Sequence, residues 1–60
     1  MIIQTLREIE IDETVVFFGD KKDKLTIGSS VEISYDGKVY GTAVVYQILG
    51  NNNYKAARTA

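Results

Sequence analysis

The 60-residue sequence predicts an all-β domain, a small antiparallel barrel or curled sheet of five or six short strands. Ile, Val, Thr, Tyr and Phe supply 24 residues, while Ala and Leu together supply 7, and the first set is typical of pleated strands. A second observation is the dipeptide Asp36-Gly37 between two β-rich runs, which is a strong hairpin signal. Because the chain is short and has neither a linker nor a repeat, we expect one domain, residues 1–60.

The first eleven residues fit two patterns. Ile2, Leu6 and Ile9 recur with helical spacing, whereas residues 9–12 alternate like a strand. The strand is favoured because it agrees with the rest of the chain. An α+β domain with an amino-terminal helix packed on the sheet is the alternative.

The next segment predicts two strands around a charged turn. Thr14 to Phe18 is rich in β-branched and aromatic residues and predicts a strand. Residues 19–24 form the turn, and residues 24–27 predict a short partner strand.

The turn at Asp36-Gly37 sets a predicted register for the hairpin from Val31 to Ile48. The expected cross-strand pairs are Tyr35 with Lys38, Ile33 with Tyr40, and Val31 with Thr42. The expected core face contains alternate residues of both strands, namely Val31, Ile33, Tyr35, Tyr40, Val44, Tyr46 and Ile48. Gly41 is a candidate for a bend or bulge.

The carboxyl-terminal part predicts a second turn and a returning strand. Gly50 to Asn53 contains residue types that tolerate the left-handed region of backbone conformation, so it predicts a turn. Tyr54 to Arg58 then predicts a short strand that runs back along the sheet.

The residue types exclude several kinds of chemistry. The chain has no Cys and no His, so it can form neither a Ser–His nor a Cys–His catalytic pair. Paired carboxylates occur at Glu8/Glu10, Asp12/Glu13 and Asp20/Asp23. Solvated edge and loop charges explain these pairs better than a metal site or acid–base catalysis does. We therefore predict a non-enzyme without a cofactor or a metal.

The apolar runs are short. The longest are residues 15–18 and 43–46, far below the roughly 20 residues that a bilayer span requires. The amino end also lacks the basic and apolar regions of a signal peptide. We expect a cytoplasmic location and no membrane partner.

A chain of this size is expected to be marginally stable. Apolar burial supplies about 90 kcal/mol, and the ordering entropy costs about the same. The absence of Cys and His removes disulfides and leaves only carboxylates as metal ligands. Self-association or a partner surface is therefore a reasonable source of additional stability.

Aromatic and basic side chains are the candidates for a binding surface. Phe17 and Phe18 are adjacent in a strand, so one ring should point outward unless both sides are covered. Exposed rings beside cations are typical of small barrels that bind nucleic acids or peptides. The candidate binding residues are Phe17, Phe18, Lys21, Lys22, Lys24, Tyr54, Lys55 and Arg58. For the three lysines of the charged turn, a solvated hairpin tip is the simpler interpretation.

Charge is distributed unevenly along the chain. Residues 1–20 contain one basic and five acidic side chains, whereas residues 41–60 contain two basic and no acidic ones. This asymmetry indicates head-to-tail complementarity between subunits or an acidic patch that docks on a basic partner. Plain solubilising surfaces are the alternative interpretation.

Residues 28–50 resemble two known families. The run GSSVEI from Gly28 to Ile33, followed by YQILG from Tyr46 to Gly50, resembles the start of the carboxyl-terminal domain of Gre-type transcript cleavage factors, which bind RNA polymerase. The same stretch is similar to KOW and SH3-like small barrels. The coiled-coil arm and the Ser-Pro segment of Gre-type factors have no counterpart in this sequence. The resemblance implies an SH3-like barrel and an association with the transcription machinery.

Together these observations predict a non-catalytic protein-binding or assembly module whose partner is another protein or a second copy. A small nucleic-acid-binding barrel associated with transcription is the alternative. The net charge of −1 disfavours it, because affinity for phosphates rises with the number of cations along the backbone.

Overall fold

The computed structural model describes residues 1–22 and 24–60 and shows a five-stranded sheet that curls into a half-barrel. The strands are β1 (Ile2–Gln4), β2 (Thr14–Phe18), β3 (Ser30–Tyr35), β4 (Lys38–Gly50) and β5 (Asn53–Arg58). Their order across the sheet is β1-β3-β4-β5-β2, so β1 and β2 are the edge strands. The described residues contain no helix. The all-β curled sheet is therefore confirmed, and the α+β alternative is wrong.

The sheet is mixed rather than wholly antiparallel. β1 runs parallel to β3, with Ile3 beside Ile33, and the other three neighbouring pairs are antiparallel. After β1 the chain crosses to the opposite edge of the sheet, forms β2 and then returns to form β3 beside β1. β3 therefore runs in the same direction as β1. Among the described residues, no helix is both long enough and apolar enough to cross a membrane.

Two predicted strands are loops in the structure. Residues 9–12 do not alternate between two faces, because Ile9 is buried but Ile11 is 52% exposed, and Asp12 has a positive φ of 70°. Residues 24–27 do not join the sheet, although Leu25 packs against the core. The chain rejoins the sheet just afterwards, where the Gly28 N–H donates to the Val45 carbonyl oxygen at 2.8 Å.

β2 and the second hairpin form where the sequence predicts them. β2 has the predicted bounds, and β5 begins one residue earlier than expected. Between β4 and β5, Gly50, Asn51 and Asn52 have φ values of 88°, 52° and 63°. Gly and Asn tolerate these left-handed conformations better than other residues do, which explains the turn.

A β-bulge in the first hairpin changes which residues of β4 face the core. Tyr35 pairs with Lys38 as predicted, but Ile33 pairs with Gly41. Tyr40 is the additional residue, so the alternation of side chains beyond it shifts by one position. The expected pairs of Ile33 with Tyr40 and of Val31 with Thr42 are therefore wrong.

The same shift corrects the predicted core face. Val31 and Ile33 are buried as expected, and the β4 residues that join them are Ala43 and Val45. Val44 is only half-buried on the other side of the sheet. Three further predicted core residues are 43–49% exposed for other reasons: Tyr35 lies on the turn side of the bulge, and Tyr46 and Ile48 lie at and beyond a second register shift, between Val45 and Gln47.

The core lies on one side of the curled sheet, which we call the inner face, and the other side is the outer face. Its buried members come from four strands and one loop, and they are Ile3, Ile9, Val31, Ile33, Ala43, Val45, Tyr54 and Ala56. Partly buried side chains complete its rim, and they are Val15, Phe17, Leu25 and Tyr40.

Val45→Ala should lower the free energy of unfolding by about 2 kcal/mol, because it removes two fully buried methyl groups and leaves a cavity. Val44→Ala should cost less than about 1 kcal/mol, because Val44 is half-buried on the outer face. Urea unfolding of both variants measures the difference. Equal losses would contradict the register that the bulge imposes.

Candidate binding surface

The backbone of β2 is open along one side. β2 lies at the sheet edge and pairs only with β5. The Arg58 N–H donates to the Glu13 carbonyl oxygen at 2.9 Å, and the Gly19 N–H donates to that of Asn52 at 2.6 Å. Bonded and free residues alternate along an antiparallel edge strand, so the odd-numbered residues of β2 bond to β5.

The even-numbered residues, Thr14, Val16 and Phe18, therefore direct their N–H and C=O groups away from the sheet. Within the described residues, none of the backbone hydrogen bonds outside the strand ladders involves these three. The open side of β2 thus offers three donors and three acceptors to an added strand.

Two exposed apolar side chains accompany this open backbone. Val16 is 54% exposed and Phe18 is 67% exposed on the outer face. Phe17 turns inward, where its ring stacks on Tyr54 with 5.6 Å between centroids. The prediction that one of the adjacent rings points outward is confirmed, and that ring is Phe18. We call the open backbone of β2 together with Val16 and Phe18 the β2 edge surface.

Basic side chains lie beside the β2 edge surface. Lys55 of β5 pairs with Val16, and it is diagonal to Phe18 because Asn53 is the direct partner of that residue. Lys21 and Lys22 are exposed in the turn that follows β2, where the Lys22 N–H donates to Asp20 Oδ1 at 3.2 Å. Lys24 is also exposed.

Three of the predicted binding residues contribute to the interior of the fold. Phe17 and Tyr54 form the inward stack, and Tyr54 is only 6% exposed. Arg58 donates from Nη1 to the Ile9 carbonyl oxygen at 2.6 Å and from Nη2 to that of Tyr40 at 3.2 Å. Its guanidinium also lies 5.0 Å from the centroid of the Tyr40 ring. These contacts attach the amino-terminal loop, residues 5–13 between β1 and β2, to the sheet.

The amino-terminal loop is held in place by the Tyr40 hydroxyl. This group accepts from the Ile9 N–H at 3.0 Å, lies 3.2 Å from the Arg7 carbonyl oxygen and is 2.7 Å from Thr5 Oγ1. Between the anchored residues, Leu6 is 99% exposed. Sequence reasoning missed this arrangement, because it favoured a strand for the first eleven residues and paired Tyr40 with Ile33 in the hairpin.

Residues 8–13, which we call the acidic loop, precede β2 and contain four carboxylates. Arg7 forms an ion pair and hydrogen bonds with Glu13, and the Glu10 N–H donates to Glu13 Oε1 at 3.0 Å. The hydrogen bond from Arg7, followed by that from Glu10, lowers the pKa of the Glu13 carboxyl below its ordinary value. The same hydrogen bond raises the pKa of Arg7.

Residues 1–22 and 24–60 contain no cavity of ligand size. They also contain no group of three or more carboxylates arranged to hold a metal ion. Comparisons with protein-family models, with curated proteins and with solved structures found no match. The resemblance to KOW, SH3-like and Gre-type domains therefore stays a prediction.

Tyr40→Phe should lower the free energy of unfolding by about 1–3 kcal/mol, because it deprives the Ile9 N–H and the Thr5 hydroxyl of a partner. The Ile9 amide should also exchange faster with solvent. Urea unfolding and hydrogen exchange followed by NMR test both expectations. Tyr35→Phe, at the exposed hairpin tip, is the control and should change stability by less than about 0.5 kcal/mol. Normal Ile9 exchange in Tyr40→Phe would contradict the anchoring role.

Arg7→Gln should raise the pKa of Glu13 toward its ordinary value of 4.5, because the variant removes the guanidinium. A carboxyl with a lowered pKa stabilises the fold above its ordinary pKa, and this contribution is lost as the pH falls through the lower, folded value. The acid side of the stability profile should therefore be flatter in Arg7→Gln. An NMR titration of the Glu13 side chain measures the shift, with Lys38→Gln as the control. An unchanged titration in Arg7→Gln would show that the ion pair does not form in solution.

Proposed function

We propose that this chain is a non-catalytic protein-binding module and that the β2 edge surface is its contact site. The observation that carries the proposal is an unpaired strand edge that coincides with an exposed Phe18. An extended segment of a partner would accept hydrogen bonds from this edge and donate to it. Its side chains would then contact Val16 and Phe18. Addition of a strand to a sheet edge is a common mode of protein recognition.

β2 lacks the features that usually protect an edge strand. Natural sheets block their edges with prolines, with charged residues or with bulges. The five residues from Thr14 to Phe18 include no charge and no proline, and their register with β5 is regular. The other edge strand, β1, is only three residues long. The contrast supports β2 rather than β1 as the edge that a partner uses.

The exposure of Phe18 supports the same conclusion. Aromatic residues are enriched in protein interfaces, where their large apolar surface is removed from water. At 67% exposure, the Phe18 ring is more exposed than any other aromatic side chain among the described residues. A partner that covers it would gain this burial without any rearrangement of the core.

Binding of single-stranded nucleic acid is the second candidate function. The observation that favours it is the position of Lys55, diagonal to Phe18, with Lys21 and Lys22 in the following turn. A base would stack on the Phe18 ring while these cations contact phosphates.

Phe18→Ser tests the proposed function. The immobilised chain should retain proteins from an extract of its source cells, and Phe18→Ser should reduce their recovery at least tenfold, because the variant removes the exposed ring. Val39→Ser is the matched control, since Val39 is a half-exposed apolar strand residue near the first hairpin turn. Quantitative mass spectrometry of the retained proteins measures the change. Equal recovery on all three chains would contradict the proposal.

The same variant separates the two candidates. If nucleic acid is the partner, the fluorescence anisotropy of a labelled oligo-dT or oligo-U strand should rise with the native chain at low salt. This rise should be lost with Phe18→Ser and weakened with Lys55→Gln, because both the ring and the cation contribute. If the anisotropy of the labelled oligonucleotide does not rise with the native chain, binding of single-stranded nucleic acid is ruled out.

A further inference from the structure

We infer that the β2 edge surface pairs with the β2 edge surface of a second copy of this chain. The two β2 strands would run antiparallel and continue one sheet across both copies. The inference rests on the proposed function, because it names the partner of the same site.

The open backbone groups determine the register. Only Thr14, Val16 and Phe18 have free N–H and C=O groups on this side, so hydrogen-bonded pairs between copies must join even-numbered residues. The register that uses all three has a two-fold axis at Val16. Val16 then pairs with its own counterpart, and Thr14 pairs with Phe18 of the other copy. An interface of this kind presents the same surface from both copies, as closed dimers do.

The side chains fit this register. Pairing places the two Val16 side chains next to each other on the outer face and brings each Phe18 ring over a Thr14 methyl group. These are the residues that β2 leaves exposed in one copy, with Val16 at 54% and Phe18 at 67%. Dimerisation would therefore pair the open backbone and cover part of the apolar side chains.

The charges at the two ends of β2 favour antiparallel pairing. Before β2, residues 7–13 contain four carboxylates and one guanidinium. After β2, residues 20–24 contain three ammonium groups and two carboxylates. Antiparallel pairing places the acidic loop of each copy near the lysines of the other. Parallel pairing would place the two acidic loops together, which is unfavourable.

The interface is short, so we expect weak association. β2 has five residues and spans about 17 Å. Interfaces that bury less than about 1,200 Å² in total belong to the weak and transient class. Dimers should therefore form in the upper micromolar range of concentration and dissociate at high salt, where the charges are screened.

Sedimentation equilibrium of the full chain, from about 10 µM to about 1 mM, tests the inference, because this range spans millimolar to micromolar Kd values. At low salt, the average molar mass should rise toward that of a dimer as the concentration increases. Val16→Pro should weaken dimerisation at least tenfold, because it removes an N–H that is free in one copy but bonded in the pair. Proline is tolerated at an edge position of this kind. Gln4→Pro is the matched control, because the Gln4 N–H is on the open side of the other edge strand.

Val16→Lys provides a second test in case Val16→Pro does not fold. It should also abolish dimerisation, because it places two like charges together at the two-fold axis. Hydrogen exchange adds a site-specific readout. The amides of Thr14, Val16 and Phe18 should exchange quickly in dilute solution and slowly at high concentration. Those of Val15 and Phe17, which bond to β5, should be protected at both.

Two results would overturn the inference. One is a chain that stays monomeric up to about 1 mM at low salt, well above ordinary weak Kd values. The other is a dimer that both folded Val16 variants leave intact, whether or not Gln4→Pro disrupts it. If the chain is monomeric but Phe18 is still needed to retain proteins from the extract, the protein-binding function stands with a different partner. If a dimer forms through β2 and no other protein is retained, self-association is the binding function.

Discussion

The bulge at Tyr40 in β4 is the feature on which most of the structure depends. It inserts one residue opposite Ile33 and so places Ala43 and Val45, rather than Val44, in the core. It also frees Tyr40 from regular pairing and directs its hydroxyl to the amino-terminal loop, where it contacts three residues. One local irregularity therefore determines both the composition of the core and the path of the chain between the two edge strands.

The carboxyl end of the chain reinforces this arrangement. Arg58 joins the Ile9 and Tyr40 carbonyl oxygens and lies over the Tyr40 ring, so the first and last segments meet at the bulge. Gly41 allows this approach, because a Cβ atom there would collide with the Ala60 carbonyl oxygen and the Arg58 side chain. The core itself is small: its largest fully buried side chains are those of Ile33, Val31 and Val45, and none of the aromatic rings is fully buried. A core of this size gives only marginal stability, so covering further apolar surface would be favourable.

The half-barrel leaves its two edges different from each other. β1 is short, whereas β2 has five residues, an open backbone and an exposed Phe18. The segments on either side of β2 differ in charge: the acidic loop precedes it, and the segment with Lys21, Lys22 and Lys24 follows it. The proposed binding function and the proposed dimer both follow from this asymmetry. When two copies of β2 pair in antiparallel orientation, the unprotected edges meet and the opposite charges at their ends lie next to each other.

The sequence by itself determined the elements whose signals are local. β-branched and aromatic composition predicted an all-β fold, Asp36-Gly37 and the Gly50–Asn53 run predicted both turns, and adjacent Phe17 and Phe18 predicted one outward ring. Only the tertiary structure decided the parallel pairing of β1 and the shift at Tyr40, because each depends on contacts between residues about 30 positions apart. The same reason explains why Tyr54 is buried and the partly buried Arg58 binds backbone carbonyl groups, while Lys55, between them on the same strand, lies on the outer face beside Val16. Which aromatic and basic residues are free to bind is decided by the path of the whole sheet, and no local pattern contains that information.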